Sequence, residues 1–226
     1  MRSIPPGEPI AVPSPAGDLE GFLDRPPGRT EPAALAVICH PHPLHGGSAA
    51  NKVVVSVSRE WAALGILSLR FNFRGVGASP GAFDGGRGEG EDAVAAVTAV
   101  LRAGGGARRV LLAGYSFGAW VALRSGVADA RVEALLGIGI PLTILDFGFL
   151  ARAKKPVLVI QGERDEFGPA SEVAHFAKRF APAVRVEEVP GLGHFFDGAL
   201  APLRAAAGRF LAGLDPPLLD RRGDGK

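Results

Sequence analysis

The chain of 226 residues has a single cysteine, Cys39. No intramolecular disulfide is open to it, which fits a reducing compartment, and a cytoplasmic location is expected. Long apolar runs are missing as well. None approaches the roughly 18 residues of a membrane span. The opening stretch MRSIPPGEPIAVPSPAGDLEG lacks the apolar centre of a secretory signal. Nor does charge of one sign dominate: 25 Lys and Arg stand against 23 Asp and Glu, and basic residues never run beyond two together. Nucleic-acid binding wants a basic patch, so neither nucleic acid nor membrane is expected as a partner.

What is present is an ordinary globular composition, with 47% hydrophobic and 21% charged residues. The length suits one large α/β domain over residues 1–226. Residues 1–17 read as a leader plus an edge strand, and residues 214–226 as a frayed tail. AALAVICHP is a continuous apolar run stopped by Pro41, the pattern of a parallel strand buried on both faces. ANKVVVSVSREWAALG places Val53, Val57, Trp61 and Leu64 on one helical face, with Gly65 as its stop. GEGEDAVAAVTAVLRAGG has acids in its first turn and a glycine stop at Gly104. Further strands, ILSLRFNF, RRVLLAG, VEALLGIGIPL, KPVLVIQG and VRVEEVPG, alternate with helical stretches. The alternation predicts a mostly parallel sheet with helices on both faces and ligands beyond the carboxyl ends of its strands.

The strand VLLAG runs into GYSFG, Gly114–Gly118, and a helical pattern follows at once. A serine at such a sharp strand-to-helix turn has its hydroxyl exposed, and the flanking glycines admit close backbone approach. With 32 glycines, chance alone gives roughly 0.2 G-x-S-x-G matches, so the strand–turn–helix context carries the signal. A serine hydroxyl needs a base to activate it and an acid to orient the base. Asp165 follows the strand VLVIQG, and His194 follows VRVEEVPG, giving the order Ser116, Asp165, His194. Glu163, Glu166 and Asp197 are the competing acids. Glu163 and Glu166 read as solvated loop charge and Asp197 as a helix N-cap.

CHPHPLHGG holds three of the five histidines, His40, His42 and His45. His-x-His with a third histidine nearby is a candidate zinc cradle. Against it, Glu60 is the only carboxylate between Leu35 and Ser68. Arg70 and Arg74, around the end of the fourth strand, are candidates for pairing with Asp84 or Glu91 or for holding an anionic substrate.

GYSFG, Asp165 in GERDEFGP and His194 in GLGHFF together resemble the α/β-hydrolase superfamily, over about residues 18–213. HPHPLHGG and RFNFRGVGASPGAFDGGRGEGED narrow the likeness to small bacterial hydrolases and esterases without a large lid. The resemblance implies an α/β-hydrolase fold and serine-hydrolase chemistry on Ser116, Asp165 and His194, without metal or cofactor. It differs from dienelactone-type hydrolases, whose nucleophile is cysteine. It also implies an oxyanion hole made by the N–H of Phe117 and one from the HPHPLHGG loop. Pro41 and Pro43 carry no N–H, which leaves His42, then Leu44. Only TILDFGFLARAKK lies where a cap domain would insert. Ile144, Leu145, Phe147, Phe149 and Leu150 are candidates for an apolar flap over an open pocket. Short-chain acyl esters are the expected substrates, on a monomer or homodimer. A metal-dependent hydrolase and a non-catalytic binding protein on the same fold stay open as alternatives.

Overall fold

The computed structural model describes residues 7–198 and 200–214. The first six residues of the expected leader, and the expected tail beyond Leu214, lie outside the described residues.

Eight strands form one sheet: β1 (Glu8–Ser14), β2 (Gly17–Asp24), β3 (Ala34–Cys39), β4 (Ile66–Phe71), β5 (Val110–Tyr115), β6 (Val132–Ile138), β7 (Val157–Gly162) and β8 (Val184–Val189). Their spatial order is β1-β2-β4-β3-β5-β6-β7-β8. The β1–β2 hairpin is antiparallel and joins β4 antiparallel, and every later pairing is parallel. The described residues also form five α-helices: α1 (Lys52–Ala63), α2 (Arg87–Ala103), α3 (Phe117–Ala128), α4 (Ala170–Ala177) and α5 (Leu200–Ala212).

The apolar runs sit where side-chain alternation sends them. On β3, Leu35, Val37 and Cys39 face one core with residues of α2, α3 and α4, such as Val97, Val121 and Val173. Ala34, Ala36 and Ile38 face the other, with Val53, Val57 and Trp61 of α1 and Leu203 and Phe210 of α5. Both faces of the central strands are buried, which is why these strands are apolar throughout. Trp61 donates its indole N–H to Ala207 O at 3.2 Å and so ties α1 to α5. Gly65 follows α1 at φ +94°, the left-handed stop its sequence announces. At the start of α2, Glu89 accepts from the N–H groups of Gly86 and Asp84 at 2.6 and 2.9 Å, which satisfies two otherwise orphaned donors.

Two expectations need correction here. Phe147 and Leu150 are core residues, fully buried beneath the segment between β6 and β7, and so form no part of a flap. Ile144 of the same segment is exposed. Arg70 is buried: its guanidinium donates to Asp24 at 2.7 Å and to Ala49 O at 2.8 Å, because it sits on β4 opposite the end of β2. Arg74 pairs with Asp92 at 2.8 Å and with Glu91 at 3.1 Å. Both guanidinium groups are committed to the fold, so neither stands ready for an anionic substrate.

Candidate active site

Ser116 occupies the turn between β5 and α3 at φ +56°, ψ −121°. A non-glycine residue there is strained, and the surroundings hold it in place. Its N–H donates to Ile138 O of β6 at 2.9 Å, and its carbonyl accepts from Ala119 and Trp120 of α3. The two motif glycines answer to close packing. A Cβ on Gly114 would lie 2.1 Å from Gly118 O, and one on Gly118 would lie 2.3 Å from His40 O and 2.5 Å from Cys39 O. The missing side chain at Gly118 therefore lets the first turn of α3 touch the end of β3.

His194 comes from the loop after β8, and its Nε2 lies 2.9 Å from Ser116 Oγ. Its Nδ1 lies 2.9 and 3.0 Å from the two carboxylate oxygens of Asp165, on the loop after β7. An ionised carboxylate only accepts, so Nδ1 carries the proton and Nε2 is left to accept from the serine hydroxyl. Asp165 is fully buried and His194 nearly so. The tertiary fold thus brings together the three residues that the sequence order points to.

The acids around them are less idle than their loop positions suggest. Glu166 Oε2 accepts from the N–H of His194 at 3.3 Å, and Glu163 Oε2 from that of Gly191 at 2.6 Å. Both residues are exposed in the loop, as their reading as solvated charge expects, and each carboxylate also tethers the histidine loop. Asp197 turns its carboxylate to Lys52. Tyr115, which the sequence does not single out, donates its hydroxyl to His194 O at 2.9 Å, and burial pushes its ionisation well above the usual range. Gln161, fully buried in β7, is not singled out by the sequence either. Its signal was legible: it is a lone amide in the buried run VLVIQG.

The Pro41–Gly47 loop sits beside Ser116. Pro43–His45 forms one 3-10 turn, closed by Gly46 at φ +78°. His42 O accepts from the N–H groups of His45 and Gly47 at 3.0 and 3.1 Å, so the loop is braced from within. The His42 ring packs on Phe117 and Phe83 at 4.9 and 4.8 Å. The two loop donors then part company. Leu44 N–H is taken by His42 Nδ1 at 3.2 Å, and its side chain is 70% exposed. The N–H groups of His42 and Phe117 have no acceptor among the described residues. Leu44 therefore does not fit as an oxyanion donor, because its N–H is already spent.

The His42 and His45 rings lie 4.5 Å apart, but His40 does not join them. His40 is buried, its Nε2 accepting from Phe73 N–H at 3.0 Å and its Nδ1 lying 2.6 Å from Pro41 O. Desolvation lowers its pKa to about 4. With both nitrogens held by the backbone, it offers a metal nothing. Among the described residues no group of three or more His, Cys, Asp or Glu is arranged to hold an ion. Burial likewise pushes the Cys39 thiol far up, which suits an inert core residue.

A mostly parallel sheet in this order, carrying a strained serine after β5 with a histidine and an acid on later loops, defines the α/β-hydrolase class. The chain belongs to this family: the sequence model of the alpha/beta hydrolase domain matches residues 36–200. It is similar to an alpha-beta serine hydrolase homologue from Coxiella burnetii, with 36% identity and a TM-score of 0.83, over 92% of this chain and 99% of that one. It is also similar to an a/b serine hydrolase without lid from Xanthomonas campestris, with 35% identity and a TM-score of 0.81, over 91% and 94%. An uncharacterized protein of Rickettsia prowazekii is 35% identical over 191 residues, covering 80% of this chain and 79% of that protein. The family and these relatives support a hydrolase. No helix among the described residues is long and apolar enough to cross a membrane.

Proposed function

We propose that this protein is a carboxylesterase that hydrolyses short-chain acyl esters through an acyl-enzyme on Ser116. The observation that carries the reading is the hydrogen-bonded chain from Ser116 Oγ through His194 to Asp165, at 2.9 Å for each closest link. In the acylation step Ser116 Oγ attacks the ester carbonyl carbon while its proton passes to His194 Nε2. Asp165 accepts from Nδ1 throughout and stabilises the imidazolium. The tetrahedral oxyanion takes hydrogen bonds from the free N–H groups of Phe117 and His42. Its collapse expels the alcohol, which takes the proton from His194. Water then enters and attacks the acyl carbon while His194 removes its proton; as the bond from the acyl carbon to Ser116 Oγ breaks, His194 returns that proton to Oγ, which releases the acid and restores Ser116.

The substrate class rests on the surroundings. The wall beside the nucleophile is aromatic, with Phe83, Phe117 and Trp120 in ring contact. Leu44, Ile144 and Phe195 stand exposed on loops beyond the carboxyl ends of β3, β6 and β8. Apolar walls favour uncharged esters, and a short connection between β6 and β7 leaves the site open.

The test is turnover of p-nitrophenyl acetate, butyrate and octanoate by protein dialysed against a chelator, with Ser116→Ala alongside. Activity should survive the chelator, fall with chain length and drop at least about a thousandfold in the variant. Activity that is lost to the chelator yet retained by Ser116→Ala would overturn the reading.

A further inference from the structure

Gln161 is the last residue but one of β7 and has no exposure to solvent. A neutral amide there is costly unless each polar atom finds a partner. Its Oε1 accepts from Ile140 N–H at 2.8 Å. Its Nε2 faces three acceptors: Gly168 O at 2.7 Å, Asp165 Oδ2 at 2.8 Å and Ile140 O at 3.3 Å. The amide orientation follows from chemistry, since a flip would set Oε1 against three acceptors and Nε2 against the one donor.

The Asp165 carboxylate is therefore held from three sides. Gln161 Nε2 donates to Oδ2, Phe167 N–H donates to Oδ1 at 2.9 Å, and His194 Nδ1 lies across both oxygens. The donors to Asp165 other than His194 are neutral. Phe167 N–H is two residues away and would follow Asp165 if the loop moved. Gln161 is on a buried strand and would not. It is thus the rigid reference for the carboxylate. Through Ile140 and Gly168 the same amide also clasps the segment after β6 and the approach to α4.

We infer that Gln161 is a positioning residue for hydrolysis, fixing the Asp165 carboxylate against His194 Nδ1 and sharing its charge. The inference rests on the reading of Ser116, His194 and Asp165 given above. Among the described residues, the ionisable groups hydrogen-bonded to the His194 backbone are Glu166, on its N–H, and Tyr115, on its O, and Asp197 carries a further charge near Tyr115.

Gln161→Glu is the informative variant. It keeps the length and the acceptor for Ile140 N–H, and it turns a carboxylate oxygen toward Asp165 where the donor was. The two facing carboxyl groups cannot both ionise, so they share one proton and the single charge is spread away from His194 Nδ1. The acid limb of the kcat/KM profile should fall by about one pH unit, and plateau kcat should fall about tenfold or more with KM within about threefold. A residue that only fills the core would not move the acid limb. Gln161→Met, which carries no added charge, reads the same split of kcat from KM should the first variant fail to fold. Asp165→Asn is run in parallel. If it loses activity while the folded Gln161 variants keep wild-type kcat and acid limb, the role of Gln161 is refuted and the Ser116–His194–Asp165 reading stands. If Asp165→Asn keeps full activity, that reading falls and takes the role of Gln161 with it.

Discussion

Replacing His42 by proline deletes one hydrogen from the backbone and leaves the loop path intact. His42 has φ −52° and ψ 120°, inside the range that proline imposes. Among the described residues its N–H has no acceptor, and its ring packs on Phe117, next to Ser116. The imidazole goes as well, and with it the cap on Leu44 N–H, so His42→Ala is the proper reference. Relative to alanine, proline at a compatible φ adds about 0.4–1 kcal/mol of stability by restricting the unfolded chain. Loss of one oxyanion donor lowers kcat by about a hundred- to a thousandfold, or about 3–4 kcal/mol. The two effects have opposite signs: His42→Pro should melt no lower than His42→Ala yet turn over far more slowly. Thermal melts and steady-state kinetics on p-nitrophenyl butyrate measure both. If the folded proline variant keeps kcat within threefold of the alanine variant, His42 N–H is not a donor, and the assignment of the oxyanion hole fails.

Gly118→Ala tests the contact between α3 and the end of β3. Its Cβ would fall about 1 Å short of an ordinary contact with His40 O, and that atom is backbone and cannot swing aside. Overpacking should cost about 1–3 kcal/mol in urea unfolding, and a shift near 1 Å at Phe117 N–H should lower kcat about a hundredfold. A variant with both quantities unchanged would show that the close approach is not needed. His40 makes stability depend on pH. Its folded-state pKa of about 4 lies below the usual 6.5 because desolvation disfavours the cation, and protonating Nε2 would break the bond from Phe73 N–H. The unfolded chain therefore binds a proton that the folded chain refuses. This contribution is fully present above pH 6.5 and is lost as pH falls toward 4, by about 3 kcal/mol. Urea unfolding of wild type and His40→Gln at pH 7.5 and 4.5 checks it, and an equal acid loss in both proteins would exclude His40 as the cause.

The sequence alone determined what local periodicity and chain order carry. Apolar runs fixed the strands, because burial on both faces leaves no polar position. Glycine spacing marked the serine turn, because only a missing Cβ lets α3 lie on β3. The order of Ser116, Asp165 and His194 after β5, β7 and β8 singled out a candidate acid and base. The choices between similar groups were a different matter, since they depend on which atoms meet across the sheet. Ser116 and His194 are 78 positions apart, and Arg70 finds Asp24 across 46. Nothing local distinguishes Arg70 from a surface arginine, or His40 from a ligand. Between His42 and Leu44 the difference is a single imidazole nitrogen, which takes the Leu44 N–H and leaves that of His42 without an acceptor among the described residues. Gln161 showed in the sequence as one amide in an apolar strand. That it grips Asp165, and not some other group, follows only from the register that sets β7 beside β6 and the loop that folds back over its end.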